Sequence, residues 1–447
     1  MKGGGRMKTQ VLVIGGGVGG LTAALKLAKC GIDVCVVEQT KGSPHLYKGE
    51  LLQPKSLEIF DALGLAEPVL RSGHRINEIE MNEMKRKKGS YRLLGSAVMR
   101  YGIIESKYNF ALMIPHEKLK ELLLEEAKKF PSFHYIQPAR FKAFNDNSAA
   151  IVSIGKEETE IQADYFIGAE GRKSNVRKAM NVSLNEHAYD HHFLTVTFKR
   201  PADMTEGKII STPHAFLGLF PLPDNEVRTV YLIQSGAYQS LKSKGIEHLH
   251  SKYIELCPEL NGYVTELREW KKIQLMIPVH FHADSYVSGN MAILGDSAHS
   301  VHPMAGEGMN LAIQDGDVLG ELLCWMYRHN EHSQDNLKWY EKVRKSRVDF
   351  ILSLSHLSAL AYSKPFRYFG SLRNRSLKQM TDDEKLHTKQ MLNISGLGIW
   401  KESFVDRLIQ IGLMPARSIQ NIEFLHTRYM FTYENDYPWE AKGRYSR

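Results

Sequence analysis

The chain predicts an α/β fold on three observations: two glycine-rich loops that each join a buried apolar strand to a helix, and an acidic residue that closes the strand after the first. The first loop is Val11-Leu-Val-Ile-Gly-Gly-Gly-Val-Gly-Gly-Leu-Thr22. Its β-branched opening reads as a buried strand, and residues 21–29, rich in alanine and leucine, read as a helix. Residues 32–38 supply a second strand that ends at Glu38. The second loop, Leu294-Gly-Asp-Ser-Ala-His-Ser-Val-His-Pro-Met-Ala-Gly-Glu-Gly-Met-Asn310, follows a short apolar run at 291–294 and precedes a helical pattern through Met309, Leu311, Ala312, Leu319, Leu322 and Leu323.

Gly15, Gly17 and Gly20 satisfy GxGxxG, with Val18 and Gly19 inside the same loop. Glycines let backbone and helix N-terminus approach a pyrophosphate closely, and an acid at the end of the second strand accepts hydrogen bonds from a ribose. Strand, helix and Glu38 together point to dinucleotide binding. A third strand-to-turn element follows at 163–177, where an apolar strand runs into Glu170-Gly171 and then Val176-Arg177.

These three elements, in this order, resemble the single-component FAD-dependent aromatic hydroxylases of the para-hydroxybenzoate hydroxylase type, over most of residues 7–330. The resemblance implies a Rossmann-like FAD-binding domain, an inserted β-sheet substrate domain and a C-terminal helical tail. The FAD-binding parts would be 7–80, 106–185 and 280–345, the substrate parts 81–105 and 186–279, and the tail 346–447. It also implies FAD as cofactor, NADH or NADPH as reductant and molecular oxygen. Gly15, Gly17, Gly20 and Glu38 match the first cofactor element, and Gly295 and Asp296 the third; Gly306, Gly308, Met309 and Asn310 match the loop facing the flavin ring. Glu170 and Gly171 stand where the family usually has Asp-Gly, which keeps the charge and lengthens its reach.

Ala298-His299 and His302-Pro-Met-Ala-Gly-Glu-Gly-Met-Asn310 look most like the flavin hydroxylases of ubiquinone biosynthesis. Gly49-Glu-Leu-Leu-Gln-Pro54, with Leu63-Gly-Leu65, is similar to squalene epoxidases, and reports either an apolar substrate or flavin packing. The implied activity is a monooxygenase that hydroxylates or epoxidises a hydrophobic aromatic, quinone-like or isoprenoid small molecule. The alternatives are a flavin-dependent reductase of prenyl double bonds and a non-catalytic flavin-binding protein. A halogenase lacks support, because Trp-x-Trp-x-Ile-Pro is absent.

In such an enzyme the cofactor carries the difficult step, and the protein positions substrate, excludes water and supplies fixed dipoles. No catalytic side chain is assigned. His299 and His302 are weak candidates, as substrate bases or as hydrogen-bonding members of the flavin loop. A metal is not expected, since Pro303 opposes a helix across the pair. His191 and His192 read as surface residues. Lys48 and His116 are candidates for the flavin or its phosphates, or are exposed. Phe216, Phe220 and Pro303 are candidates for the substrate wall, with plain core packing the alternative for the phenylalanines.

A formal charge of +8 suits an anionic cofactor. No nucleic-acid motif appears, so the expected partner is a hydrophobic small molecule, and the oligomeric state is unassigned. Cys30, Cys35, Cys257 and Cys324 have no CxxC spacing and read as reduced core thiols. Residues 1–7 have no apolar signal core, and no run reaches the roughly 18 apolar residues of a spanning helix. A cytoplasmic protein is expected, with peripheral membrane contact an option. That option rests on a tail in which Arg367, Arg373, Arg375 and Lys378 lie beside Phe366, Tyr368 and Phe369; packing of the tail on the catalytic body is the alternative.

Overall fold

A computed structural model of the chain describes residues 6–39, 49–87, 89–145, 149–363, 369–417 and 427–441. Lys48, Phe366, Arg367 and Tyr368 lie outside them. One of its two main sheets is built on strand Arg6–Ile14, paired in parallel with Val34–Val37 and Glu157–Gly168. Phe133–Ile136 and Met291–Ile293 extend this order in parallel at either side. Val11, Leu12, Val13 and Ile14 are all buried, as a central parallel strand with both faces covered requires.

Helix Val18–Lys29 packs against the long helix Gly308–His329. Small residues allow the close crossing. A Cβ on Gly19 would stand 2.7 Å from the carbonyl oxygen of Ala312, and one on Gly316 would stand 2.4 Å from that of Gly19. The crossing also joins Cys30 to Cys324 in a disulfide. This corrects the reading of four reduced thiols: Cys35 and Cys257 are the free, buried ones. The paired cysteines are 294 positions apart, so only the helix crossing reveals them. The expectation of a reducing cytoplasm loses this support.

The second sheet runs in the order Gln274–Met276, His191–Lys199, Glu226–Gln234, Phe216–Leu222, Gly207–Ser211, Glu78–Lys87, Ser90–Arg100. Alternation divides its residues. Leu194, Val196, Leu217, Leu219 and Val227 pack in one core with helix Ile246–Leu256, whereas Phe193, Phe216 and Leu232 form a separate cluster touched by Met304 of the second glycine loop. Gln274–Met276 pairs with Phe193 to Thr195 as an edge strand of this second sheet.

The tail is part of the body. Leu377, Met391, Leu392 and Trp400 share a core with Met81 and Met99 of the second sheet. Arg373, one of the basic residues on which the membrane option rested, is buried, and its guanidinium donates two hydrogen bonds to Glu83 at 2.8 and 2.7 Å. Helix Lys338–Ser363 supplies Arg344, wholly buried beside Asp315.

The Asp315 carboxylate accepts hydrogen bonds from Gly295 N at 2.9 Å, His299 Nε2 at 2.6 Å and Arg344 Nε at 2.7 Å. Burial alone would raise its pKa, but His299 and Arg344 outweigh burial and hold it below the usual carboxylate range. Arg344→Ala would strand the charge in the core. We expect a loss of about 3–5 kcal/mol in denaturant titration; a loss below about 1 kcal/mol would show that Asp315 does not depend on the pair.

Candidate active site

All three glycine elements line one cleft of about 780 Å³ between the two sheets. Gly15 makes the turn possible: its φ is +114°, and a Cβ there would lie 2.3 Å from the carbonyl oxygen of Ala169. Gly17 is different, because nothing of the protein lies within 4 Å of its Cβ position. It is also the N-cap of helix Val18–Lys29, with no side-chain cap and no acid in the first turn. Uncapped N–H groups at a helix start suit an anion. Val18 lines the cleft as well. Gly19 and Gly20, which also border it, are spent on packing; a Cβ on Gly20 would stand 2.3 Å from Gly15 O.

Glu38 ends strand Val34–Val37 at the cleft, and its Oε2 accepts the N–H of Gly16 at 2.7 Å. His116 begins helix His116–Ala127 and lines the cleft with Lys120. On the far side Gly295, with φ +55°, and the half-exposed Asp296 complete the wall, Arg172 standing 3.5 Å from the Asp296 carboxylate. An open glycine, an uncapped helix start, an acid just after the second parallel strand and nearby cations fit a dinucleotide diphosphate.

Glu170 also borders the cleft, but its carboxylate caps a helix. It accepts from Ser174 Oγ at 2.5 Å, Asn175 N at 3.1 Å and Val176 N at 3.2 Å, at the start of Asn175–Ala179. Burial pushes its pKa up, and these bonds oppose the shift. Gly171 N donates to Ser297 Oγ at 3.1 Å, and Arg177 donates to Ser297 O at 2.7 Å, tying the middle element to the third.

In the second glycine loop Asn310 works as a staple. Its Oδ1 accepts from Gln53 N and Ser56 Oγ, both at 2.8 Å, and its Nδ2 donates to Leu51 O at 2.9 Å and Gly306 O at 3.1 Å. The segment similar to squalene epoxidases is thereby held by the loop it packs on. Gly306 takes φ +67°, and Gly308 and Met309 open helix Gly308–His329 at the cleft. Sequence reasoning passed over Glu307 between them. It is buried, which pushes its carboxyl well above the usual carboxylate range, and its Oε1 has no hydrogen-bond partner among the described residues.

The histidines divide. His299 belongs to the Asp315 network. His302, wholly buried, caps Pro303–Ala305 by accepting Met304 N at 3.2 Å, and its Nε2 lies 2.9 Å from His191 Nε2. Burial first, then His191, His280 and His356, push the His302 pKa down to about 3. His191, read from the sequence as a surface residue, is instead buried, at 2 % exposure. Its strand turns that side chain toward the flavin loop, a contact between parts 111 positions apart. His192 is partly buried, with His192 Nε2 3.3 Å from Ser235 Oγ.

Pro303 lines the cleft with Met276. Phe216 is buried, with its ring 5.3 Å from Tyr362 and 6.4 Å from Phe193. Phe220 is partly buried and stands opposite Arg228 in the sheet. Arg228 in turn makes two 2.8 Å hydrogen bonds to Glu50, a cleft residue that sequence reasoning left in a motif string without a partner.

Residues 8–355 match the FAD binding domain family. The chain is 28 % identical over 365 residues to 6-methylpretetramide 4-monooxygenase of Streptomyces rimosus, covering 78 % of this chain and 85 % of that one. It is 24 % identical over 361 residues to a ubiquinone hydroxylase of Rhodospirillum rubrum, covering 78 % and 80 %. The crystal structure of p-nitrophenol 4-monooxygenase from Pseudomonas putida DLL-E4 superposes with a TM-score of 0.77 at 16 % identity, over 88 % of this chain and 99 % of that one, a likeness of fold. The chain belongs to the FAD binding domain family and is an FAD-dependent monooxygenase.

Proposed function

We propose that this monooxygenase hydroxylates a hydrophobic aromatic or quinone-like molecule held between Pro303 and the second sheet. One juxtaposition carries the reading: the apolar cluster of Phe193, Phe216 and Leu232 adjoins Met276 and Met304, beside the proline that borders the dinucleotide cleft. The names of the two relatives, a ubiquinone hydroxylase and a 6-methylpretetramide 4-monooxygenase, support the same class. Hydroxylation is preferred to epoxidation, because the Asn310 staple accounts for residues 49–54 by loop packing. In this reading 7–80, 106–185 and 280–345 hold cofactor, and 81–105 with 186–279 hold substrate.

When bound, FAD reduced by NADH or NADPH would activate molecular oxygen, one atom of which goes to the substrate and the other to water. Gly17 and the start of helix Val18–Lys29 hold the diphosphate, Glu38 the ribose, and Asp296 closes the opposite side. The N-terminus of the 22-residue helix Gly308–His329 favours negative charge on the flavin. Burial raises the Glu307 carboxyl well above the usual carboxylate range, which disfavours a negative charge beside that end. Phe193, Phe216 and Leu232 exclude water from the transfer site.

No helix among the described residues is long and apolar enough to cross a membrane. Peripheral contact belongs to the proposal because Phe404 is 77 % and Leu413 71 % exposed, close to exposed Val405, Ile411 and Met414.

Three outcomes check the reading. Gly17→Val should leave thermal stability unchanged, since a Cβ there has no protein atom within 4 Å, yet weaken FAD binding by about tenfold or more in a fluorescence titration; unchanged affinity would move the diphosphate elsewhere. With labelled molecular oxygen, phenolic and quinol candidates should yield a product carrying one labelled atom. NAD(P)H-driven saturation without oxygen uptake would instead establish the reductase. In flotation with anionic liposomes, Phe404→Ser with Leu413→Ser should release the full chain, and equal binding would remove the membrane contact.

A further inference from the structure

The second sheet carries two hydroxyls that the fold does not use. Thr195 and Thr197 lie in strand His191–Lys199, where Leu194, Val196 and Phe198 join the core around helix Ile246–Leu256. Alternation puts both threonines on the other face, with Phe193. Thr195 is wholly buried, and neither Thr195 Oγ1 nor Thr197 Oγ1 has a hydrogen-bond partner among the described residues.

Their neighbours locate them. Thr195 stands opposite Gln274 on one side and Val230 on the other, and Thr197 stands opposite Arg228. Gln274 borders the dinucleotide cleft; Arg228 is bound to Glu50, which borders it too. The threonines therefore lie one strand in from the cleft-bordering Gln274, next along the same face from Phe193 of the apolar cluster. Valine has nearly the same shape and suits a strand equally well. A buried hydroxyl without a partner destabilises relative to it, so these two hydroxyls work against the fold at adjacent same-face positions.

We infer that Thr195 and Thr197 form a polar subsite that binds an oxygen substituent of the substrate, a phenolic hydroxyl or quinone carbonyl, while the neighbouring apolar cluster takes the ring. A hydroxyl can donate or accept, so the pair suits either oxygen. The inference rests on the aromatic reading above, and it makes these two residues determinants of specificity.

The test uses the FAD-loaded full chain, with 2-naphthol and naphthalene as probes whose binding is read from the flavin absorption spectrum. The wild-type protein should favour 2-naphthol. Thr195→Val and Thr197→Val should each weaken 2-naphthol by about tenfold, leave naphthalene unchanged and not lower the melting temperature, while Thr195→Ser should keep the preference. Either valine variant melting lower would assign that hydroxyl to the fold and overturn the subsite. So would stable variants that bind both probes as wild type does. Wild-type protein that binds neither probe would instead overturn the aromatic reading and the subsite with it.

Discussion

One buried carboxylate governs the geometry of the cofactor cleft. Asp315 lies two turns into helix Gly308–His329 and receives Gly295 from the third glycine element, His299 from the strand that follows, and Arg344 from helix Lys338–Ser363. Without Arg344 that charge would sit uncompensated in the core, and without Asp315 the Gly295 amide would lose its acceptor. The loop that borders the cleft is thus held from behind, by a residue that never reaches it. The helix that supplies the cation runs on into the C-terminal region, which packs on the second sheet through its own core and through Arg373.

The second constraint is steric. Helices Val18–Lys29 and Gly308–His329 can bring their N-terminal ends to one cleft only by crossing nearly backbone to backbone, which Gly19 and Gly316 permit. Lys26 then bridges Asp317 and Glu321 at 2.5 and 3.0 Å along the same seam. Two loops almost 280 positions apart in the chain become opposite walls of one site because small residues face each other where the helices meet. Gly17, the loop glycine whose missing side chain leaves space beside no protein atom, faces the cleft instead.

Much of this was legible in the sequence because local patterns encode it. The strand, turn and helix around Gly15 to Gly20 follow from β-branched residues, glycines and an alanine-rich run, and Asn310 stood in a motif whose context was readable. What stayed hidden depends on long-range pairing. His191 reads as one polar residue before a strand; its burial follows from a partner at His302. Cys30 and Cys324 carry no spacing signal, and Arg373 looks like any exposed base until the sheet brings Glu83 beneath it. Glu170 was visible as an acid at the right place, but whether it faced cofactor or capped a helix depended on a few ångströms of loop.

The polar interior separates what builds the molecule from what equips it. Where its parts meet, buried polar groups are matched: Asn310 uses both ends of its amide, Glu83 meets both arms of Arg373, and Glu50 meets both arms of Arg228. Trp325 and Trp439 leave their indole N–H groups without partners among the described residues, yet each buries a large ring whose apolar area offsets the loss. The side chains of Thr195 and Thr197 have no such area to set against their hydroxyls. A mismatch of that kind beside Gln274 and the aromatic cluster is therefore harder to attribute to packing than one deep among the tryptophans, and it gives this face of the second sheet a polarity that the fold alone does not require.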